Sequence, residues 1–180
     1  GNIIAWQHRI VGQSINESLA YGESTPDLSL LEGAVNLPYQ IPNLAIEQHI
    51  VDLPVPILYW RSVAHSHTAF AKEAFIDELA VSAKQDAVAF RMKLLAHHPK
   101  HRKVLQLAAE KAHWGEPLPL GKARGVALHE SFNTIVAQVA EVSVAEDGNY
   151  RVEKVTCVVD CGLAVNPDMV TAQMEGGIGF

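Results

Sequence analysis

The sequence has few cysteines, few basic residues and no long apolar run, and each shortage excludes a class of protein. Its 180 residues include two cysteines, 14 lysines and arginines, and 20 aspartates and glutamates. A general nucleic-acid-binding protein normally carries a basic patch, and no dense one occurs here outside residues 100–103, so we expect no nucleic-acid partner. No apolar run approaches the ~20 residues of a membrane-spanning helix.

The two cysteines, Cys157 and Cys161, are separated by three residues in an apolar stretch. Without further cysteines, such a pair is a weak indication of a metal site. Strand alternation places both on one face, and a free cysteine behaves as a small hydrophobic residue. We therefore predict two buried thiols.

Nine histidines are present, and five of them form two groups, His65/His67 and His97/His98/His101. The second group surrounds Pro99 and has no acidic or cysteine partner at ligand spacing. A solvated helix end, which favours cationic side chains, explains it better. No metal site is predicted.

The composition is that of a globular protein. Apolar residues make up 48% and charged residues 19%, far from the composition of disordered chains. The chain starts at Gly1 without a methionine and stops in the apolar, glycine-rich stretch 176–180. We expect it to be a single fragment, 1–180, of a larger domain.

The first part, residues 1–69, is predicted to consist of strands and loops. Apolar residues set among polar ones at 3–15 fit one or two short strands. Five prolines punctuate residues 16–56, and proline opposes helix and sheet interiors. This segment is interpreted as a long surface excursion with two strands, near 41–50 and 55–60.

Residues 70–115 are predicted to be helical. Phe75, Leu79 and Ala83 form one apolar stripe, with Ile76 and Ala80 beside it. A second helix begins after Asp86, whose carboxylate can cap it. A third helix spans 101–113, burying residues 104, 107 and 108, and ends before Gly115, which can adopt a left-handed conformation.

After a proposed linker at 116–125, residues 125–180 are predicted to form a β-hairpin and a helix. Asp147-Gly148 is a typical turn between strands at 135–144 and 150–160. Asn166 followed by Pro167 predicts a helix from Pro167 to about Glu175. The fold class is therefore α+β, with a mixed sheet that contains this hairpin and packs against the helices of 70–113.

Polar groups concentrate in three places within apolar surroundings. The loop at 60–67, with Arg61 and Ser62, suits an anionic or oxo-rich ligand, although a helix-capping loop with solvated histidines explains it equally well. In the stretch 162–177, Gln173 can both donate and accept beside a ligand, while Gly176 and Gly177 permit close backbone approach. The alternative there is an exposed helix glutamine.

The third place is the basic stretch Gly121–Gly125, which could hold a phosphate but lacks the spacing of a P-loop. A flexible linker is the simpler interpretation. The sequence also lacks the G-x-S-x-G elbow of hydrolases and the G-x-G-x-x-G motif of dinucleotide-binding folds.

Several segments, in order, resemble the large molybdopterin-binding subunit of molybdenum hydroxylases, the xanthine dehydrogenase/aldehyde oxidase family, in the branch of the isoquinoline 1-oxidoreductase β-subunit. They span about residues 10–180, and the ordered series is more specific than any one of them. They are Leu37–Asn43, Trp60–Val63 with His65–His67, Phe75–Ala80, Ala108–Ala112 with Trp114-Gly115, His129–Phe132, Val136–Val142, Val159–Gly162 with Val165–Asp168, and Ala172–Gly177.

The resemblance implies an oxidoreductase that hydroxylates an aldehyde or N-heterocycle with oxygen from water and passes electrons to a [2Fe–2S] small subunit. It also implies a molybdenum-bearing molybdopterin cytosine dinucleotide as cofactor. In the family, the Trp-Arg-Ser loop approaches the molybdenum centre, and the Gln of Gln-x-Glu-Gly-Gly lies by the cofactor. The implied cofactor-binding residues are Arg61, Ser62, Gln173, Gly176 and Gly177.

Two departures limit what the resemblance implies. Ala64 stands where the family usually has glycine, so the backbone approach there is expected to differ. The family's glutamate base lies beyond Phe180, so no catalytic residue is assigned in this chain, and the fragment alone is expected to be inactive. The alternatives are a non-catalytic scaffold or interaction domain that shares the fold, and a nucleotide-binding module based on Gly121–Gly125.

Overall fold

The structure is a computed structural model that describes residues 1–19 and 26–180. These residues form two compact units, Gly1–Pro99 and Lys100–Phe180. Both helices and strands are present, which confirms the predicted α+β class. The strands fall into two sheets, one parallel pair and one antiparallel sheet of three strands. Within the described ranges, no helix is long and apolar enough to cross a membrane.

The first unit pairs two distant strands in parallel, with Trp6 opposite Leu44. The connection between them carries two short helices, which Ser14 and Asp27 cap by accepting hydrogen bonds from the backbone N–H groups of Glu17 and Ser29. The elements are β1 (Trp6–Gly12), α1 (Ile15–Ser18), α2 (Leu28–Leu31), β2 (Leu44–Ile50), α3 (His65–Ser82) and α4 (Ala87–Leu94).

The prediction of a surface excursion over 16–56 is wrong for part of the described residues, whereas 52–56 are exposed as predicted. Its part at 20–25 lies outside the described residues. Leu31 and Ala34 form a core cluster with Ile10 of β1, and Tyr39 is buried as well. The strand predicted near 55–60 is absent from the described backbone. Prolines 54 and 56 lack the N–H groups that a sheet needs, and the apolar side chains around them are exposed.

The predicted stripe of α3 is only partly buried, whereas Ile76 and Ala80, which were predicted to lie beside it, are buried. Phe75 of the predicted stripe is 44% exposed, and its ring packs edge-on against Trp6 with 5.1 Å between ring centres. The buried side chains are mostly polar: His65, Thr68, Lys72, Glu73, Ile76 and Ala80. Apolar periodicity cannot reveal the polar part of this face. By contrast, the predicted cap of α4 is confirmed, since Asp86 accepts from the N–H groups of Val88 and Ala89.

The second unit is built around a three-stranded antiparallel sheet with the order β3-β4-β5. Its elements are α5 (Pro99–Lys111, whose first residue belongs to the first unit), β3 (Lys122–Ser131), β4 (Thr134–Val144), β5 (Tyr150–Asp160) and α6 (Pro167–Gly179). The predicted hairpin is confirmed: Val144 pairs with Tyr150, and Gly148 has the positive φ that its turn requires. The predicted linker at 116–125 is wrong from Lys122 onward, where β3 begins.

Apolar side chains on one face of the sheet and one side of α5 are buried in this unit. They are Val126, Leu128, Ile135, Ala137 and Val139 on the strands, and Val104, Leu105, Ala108 and Ala109 on the helix. Leu107, which was predicted to be buried, is 37% exposed. His101 is buried instead of solvated. Its Nε2 lies 3.0 Å from Glu130 Oε2 and so links α5 to β3.

Both cysteines are free and half-buried, so the prediction of buried thiols holds only in part. Cys157 lies on β5, and Cys161 follows the end of that strand. Burial raises the pKa of the Cys157 thiol, although a hydrogen bond with Gln138 acts in the opposite direction.

Candidate functional site

The Trp-Arg-Ser segment is an exposed, strained turn at the start of α3. Trp60 is 71% exposed, and Arg61 and Ser62 are exposed as well. Ser62 and Val63 both adopt left-handed backbone conformations, with φ of 69° and 47°. Such a conformation costs a residue other than glycine ~1–3 kcal/mol and is often found at functional sites. The segment 60–64 carries two of the cofactor-binding residues that the resemblance implies, and on that ground it is called the cofactor loop below.

Backbone hydrogen bonds join the cofactor loop directly to α3. The N–H of Val63 donates to the carbonyl of Trp60 at 3.0 Å, and the N–H of His65 donates to that of Ser62 at 2.9 Å. The hydroxyl of Ser66 donates to the carbonyl of Val63 at 2.7 Å. The conformation of the loop therefore depends on where the first turn of α3 lies.

Ala64, where the resembling family usually has glycine, occupies an ordinary conformation. Its φ and ψ of −65° and −23° are right-handed helical, and any residue adopts these angles. Its methyl group is buried, because the residue is 2% exposed. The substitution thus requires no unusual backbone at this position.

The first histidine of the loop region is part of the protein interior. His65 is 6% exposed, and its Nε2 lies 3.9 Å from Glu32 Oε2. Burial lowers the pKa of His65, and the positive charge of Lys72 lowers it further. Burial and the nearby Asp27 raise the pKa of Glu32. The interpretation of both loop histidines as solvated therefore fails at His65, while His67 is exposed.

The other predicted site residues lie together on α6. This helix begins after Asn166, whose Oδ1 accepts from the N–H of Met169 at 3.2 Å, and it continues past the predicted end to Gly179. Gln173, Gly176 and Gly177 are spaced i, i+3 and i+4, so they share one helix face. All three are exposed, and a Cβ at Gly176 would meet no atom within 4 Å.

The five predicted residues thus form two groups, one in each unit. Arg61 and Ser62 are neighbours in the cofactor loop of the first unit, and Gln173, Gly176 and Gly177 share a face of α6 in the second. Sequence reasoning placed both glycines after the helix, but they belong to it. It also missed the left-handed backbone at Val63, which no sequence pattern indicates for a β-branched residue.

The basic stretch Gly121–Gly125 is not organised as a phosphate site. Lys122 and Arg124 both meet the carboxylate of Glu141, at 3.4 and 3.1 Å. Arg124 also donates to the backbone carbonyl of His113 at 2.8 Å. Both side chains are therefore engaged within the second unit, where the one carboxylate neutralises one of the two positive charges. The flexible-linker interpretation is also wrong here, since β3 begins at Lys122.

A cavity of about 400 Å³ in the first unit lies apart from the predicted residues. Lys93 is the charged side chain in its wall and donates to Asn2 Oδ1. The cavity is lined by Gly1, Asn2, Ile3, Gln40, Pro42, Phe90, Lys93 and Leu94. None of these is a candidate cofactor-binding residue.

Comparison with known families gives a match across both units. The family model of the molybdopterin cofactor-binding domain matches residues 61–179, about two thirds of the chain. The chain belongs to this family. The family predicted from the ordered segments is thereby confirmed. The matched part of this molybdopterin-binding domain begins at Arg61 and contains all five candidate residues.

Three characterised proteins are similar to the domain. The isoquinoline 1-oxidoreductase β-subunit of Brevundimonas diminuta is 32% identical over 97% of the chain and 22% of its own length. A membrane-bound aldehyde dehydrogenase of Gluconacetobacter polyoxogenes, whose name also includes pyrroloquinoline-quinone, is 32% identical over 64% of the chain and 18% of its own length. A nicotinate dehydrogenase subunit from Pseudomonas putida is 29% identical over 78% and 13%. The chain spans about a fifth or less of each relative.

Proposed function

We propose that the full-length protein containing this domain is a molybdenum hydroxylase that oxidises an aldehyde or an N-heterocycle. The observation that carries the proposal is the family match, which includes residues 61–64 of the cofactor loop and all of α6. The names of the similar proteins, which include isoquinoline, aldehyde and nicotinate oxidoreductases, support this class of substrate.

The candidate residues fit a phosphate-bearing, oxo-rich cofactor. Arg61 and Ser62 present a guanidinium and a hydroxyl on an exposed turn, and arginine suits planar, bidentate contact with phosphate. Gln173 presents an amide that can donate and accept. Beside it, Gly176 leaves open space where another residue would place a side chain. A large ligand can therefore approach the backbone of α6 on the face that carries Gln173.

The proposed cofactor is a molybdopterin cytosine dinucleotide, which when bound supplies the redox chemistry that transfers oxygen from water to carbon. Arg61 and Ser62 are proposed to bind and orient it, and Gln173 is proposed to contact it by hydrogen bonds. The electrons leave through a [2Fe–2S] small subunit, the partner that completes the proposed enzyme.

The proposal assigns no proton transfer to this chain, and the catalytic glutamate is proposed to lie outside residues 1–180. A cofactor held by several segments loses most of its contacts when some are missing. We therefore expect the 180-residue chain by itself to bind no molybdenum and to oxidise no substrate.

Substitutions in the full-length protein test the assignment. Arg61→Ala and Gln173→Ala should each lower molybdenum content or turnover roughly ten- to a hundredfold, the effect of losing a hydrogen bond to a charged or strongly polar group. Gln106→Ala is the matched control, because Gln106 is also an exposed helix glutamine. Elemental analysis and turnover with an artificial electron acceptor provide the measurements.

Full molybdenum content and wild-type turnover in Gln173→Ala would show that the Gln-x-Glu-Gly-Gly assignment is wrong. Wild-type protein that binds no molybdopterin would favour the non-catalytic scaffold instead. If Arg61 acts through its backbone, Arg61→Ala should be mild and an inserted residue at 62–64 severe.

A further inference from the structure

The buried face of α3 is polar along most of its length, starting beside the cofactor loop. Thr68 is fully buried, and its hydroxyl lies 2.8 Å from the carbonyl oxygens of both Glu32 and Ala64. Lys72 and Glu73 are also buried, with 3.8 Å between their charged groups. Buried polar groups need specific partners, so this face fits only one arrangement of neighbours.

Arg91 of α4 supplies the largest set of these partners. The residue is fully buried. Its Nε donates to Glu73 Oε2 at 2.9 Å, and its Nη1 donates to Asp77 Oδ1 at 2.6 Å. Its Nη2 donates to the backbone carbonyl of Glu73 at 3.0 Å. One planar guanidinium on α4 therefore holds two carboxylates that are one helical turn apart on α3. These contacts fix the rotation of α3 and its position along its own axis relative to α4.

A third segment joins the cluster from the chain between β1 and α3. The hydroxyl of Tyr39 donates to Glu73 Oε1 at 2.9 Å, and the N–H of Gln40 donates to the carbonyl of Leu94 at 2.8 Å. Burial and the negative charge of Glu73 raise the pKa of Tyr39, so this hydroxyl stays a donor. Burial acts to lower the pKa of Arg91, but Glu73, Tyr39 and Asp77 raise it overall, so Arg91 stays charged.

Two of the segments that resemble the hydroxylase family meet in this cluster. Leu37–Asn43 contributes Tyr39, and Phe75–Ala80 contributes Asp77. The resemblance implied no role for either segment. Tyr39 contacts Glu73, and Asp77 contacts Arg91. Both segments therefore help to hold α3 against α4.

We propose that Arg91 is a positioning residue for the cofactor loop. By holding Glu73 and Asp77, it fixes α3, and the first turn of α3 holds the strained backbone of Ser62 and Val63 through the hydrogen bonds described above. A left-handed valine persists only where its surroundings enforce it. The importance of this for cofactor loading rests on the proposed function of Arg61 and Ser62.

Hydrogen exchange in the full-length protein tests the positioning without requiring activity. In Arg91→Lys, which keeps the charge but loses the planar fork, amides in 60–66 should exchange roughly tenfold faster, as expected when a charged buried hydrogen bond is lost. The exchange rates of these amides should rise less in Tyr39→Phe and more in Arg91→Met. Amides of the β4–β5 hairpin serve as an internal reference and should not change.

Arg124→Lys is the matched control, because Arg124 also joins a carboxylate to backbone carbonyls but lies in the second unit. It should leave exchange in 60–66 at the wild-type rate. If Arg91→Met does not fold, Arg91→Lys and Tyr39→Phe still provide the test.

Molybdenum content supplies the second measurement. Arg91→Lys should reduce it severalfold at a temperature where the protein is fully folded, and Arg124→Lys should not. If the amides in 60–66 exchange at the wild-type rate in both Arg91→Lys and Tyr39→Phe, the positioning role is wrong. Faster exchange in a protein that carries no cofactor even as wild type would support the positioning role and refute the proposed function.

Discussion

The interiors of the two units are stabilised by different kinds of contact. In the second unit, the buried residues of the sheet and of α5 are mostly valine, leucine, isoleucine and alanine. In the first unit, Asp27, Thr68, Lys72, Glu73 and Arg91 are buried beside apolar residues. Apolar contacts tolerate small shifts, whereas hydrogen-bonded charges require defined distances and angles. The first unit is therefore the one suited to holding a strained loop in one conformation.

The strongest test of this contrast removes the charge at the centre of the first unit. Arg91→Met should lower the free energy of unfolding by ~3–5 kcal/mol, because it leaves Glu73 buried without its main partner. The comparison is Arg9→Met, which breaks an exposed ion pair with Glu47 in the same unit and should change little. Urea unfolding measures both, and equal effects of the two substitutions would show that the buried cluster contributes no more than a surface pair.

A smaller effect is expected from the apolar core of the second unit. Leu128 is fully buried, and Leu128→Ala should lower the free energy of unfolding by ~2–5 kcal/mol through lost burial and a cavity. Leu120 is fully exposed, so Leu120→Ala should stay within ~0.5 kcal/mol. The same urea titration measures this pair. A loss below ~1 kcal/mol for Leu128→Ala would contradict an apolar core that is closely packed.

The smallest expected effect is on the pH dependence of the stability of the first unit. Burial lowers the pKa of His65 below its ordinary 6.5, and burial and His67 do the same for His8. The unfolded chain therefore takes up protons first as the pH falls, so the stability present above pH 6.5 declines toward the lowered pKa. In His65→Gln, the loss of stability between pH 7.5 and 5.5 should be smaller than in wild type or in the exposed-site control His97→Gln. A loss as large as in the wild type would exclude His65 from this pH dependence.

The same contrast explains which parts of the fold the sequence predicts. The hairpin of β4 and β5 was predicted within one residue at each end, because apolar alternation flanks an Asp-Gly turn. The caps Asp86 and Asn166 were also predicted, since a capping side chain acts on backbone groups two or three residues away. Features that depend on near neighbours in sequence are thus predictable from it.

The errors concern features that depend on distant partners or on unusual turns. Periodicity indicated Ile76 and Ala80 but missed the polar part of the buried face of α3, because Lys72 and Glu73 are buried only through partners such as Tyr39 and Arg91. Strand β3 was missed because its two-residue connection to β4 is Phe132-Asn133, with φ of 47° and 61°, where such turns usually contain glycine. Within the candidate site, the sequence suggested residue types and spacing, but neither the strain at Ser62 and Val63 nor the helical conformation of Gly176 and Gly177.

The register shift beside Glu141 and Val142 has a consequence for association between chains. Strand β5 is an edge of its sheet among the described residues, and an unpaired edge can template a further strand. Its first half carries the irregularity and three charged side chains, Arg151, Glu153 and Lys154, and bulges and charges both oppose edge-to-edge pairing. From Val155 to Val159 the edge has neither, so aggregation of the isolated chain by strand addition would begin in this half.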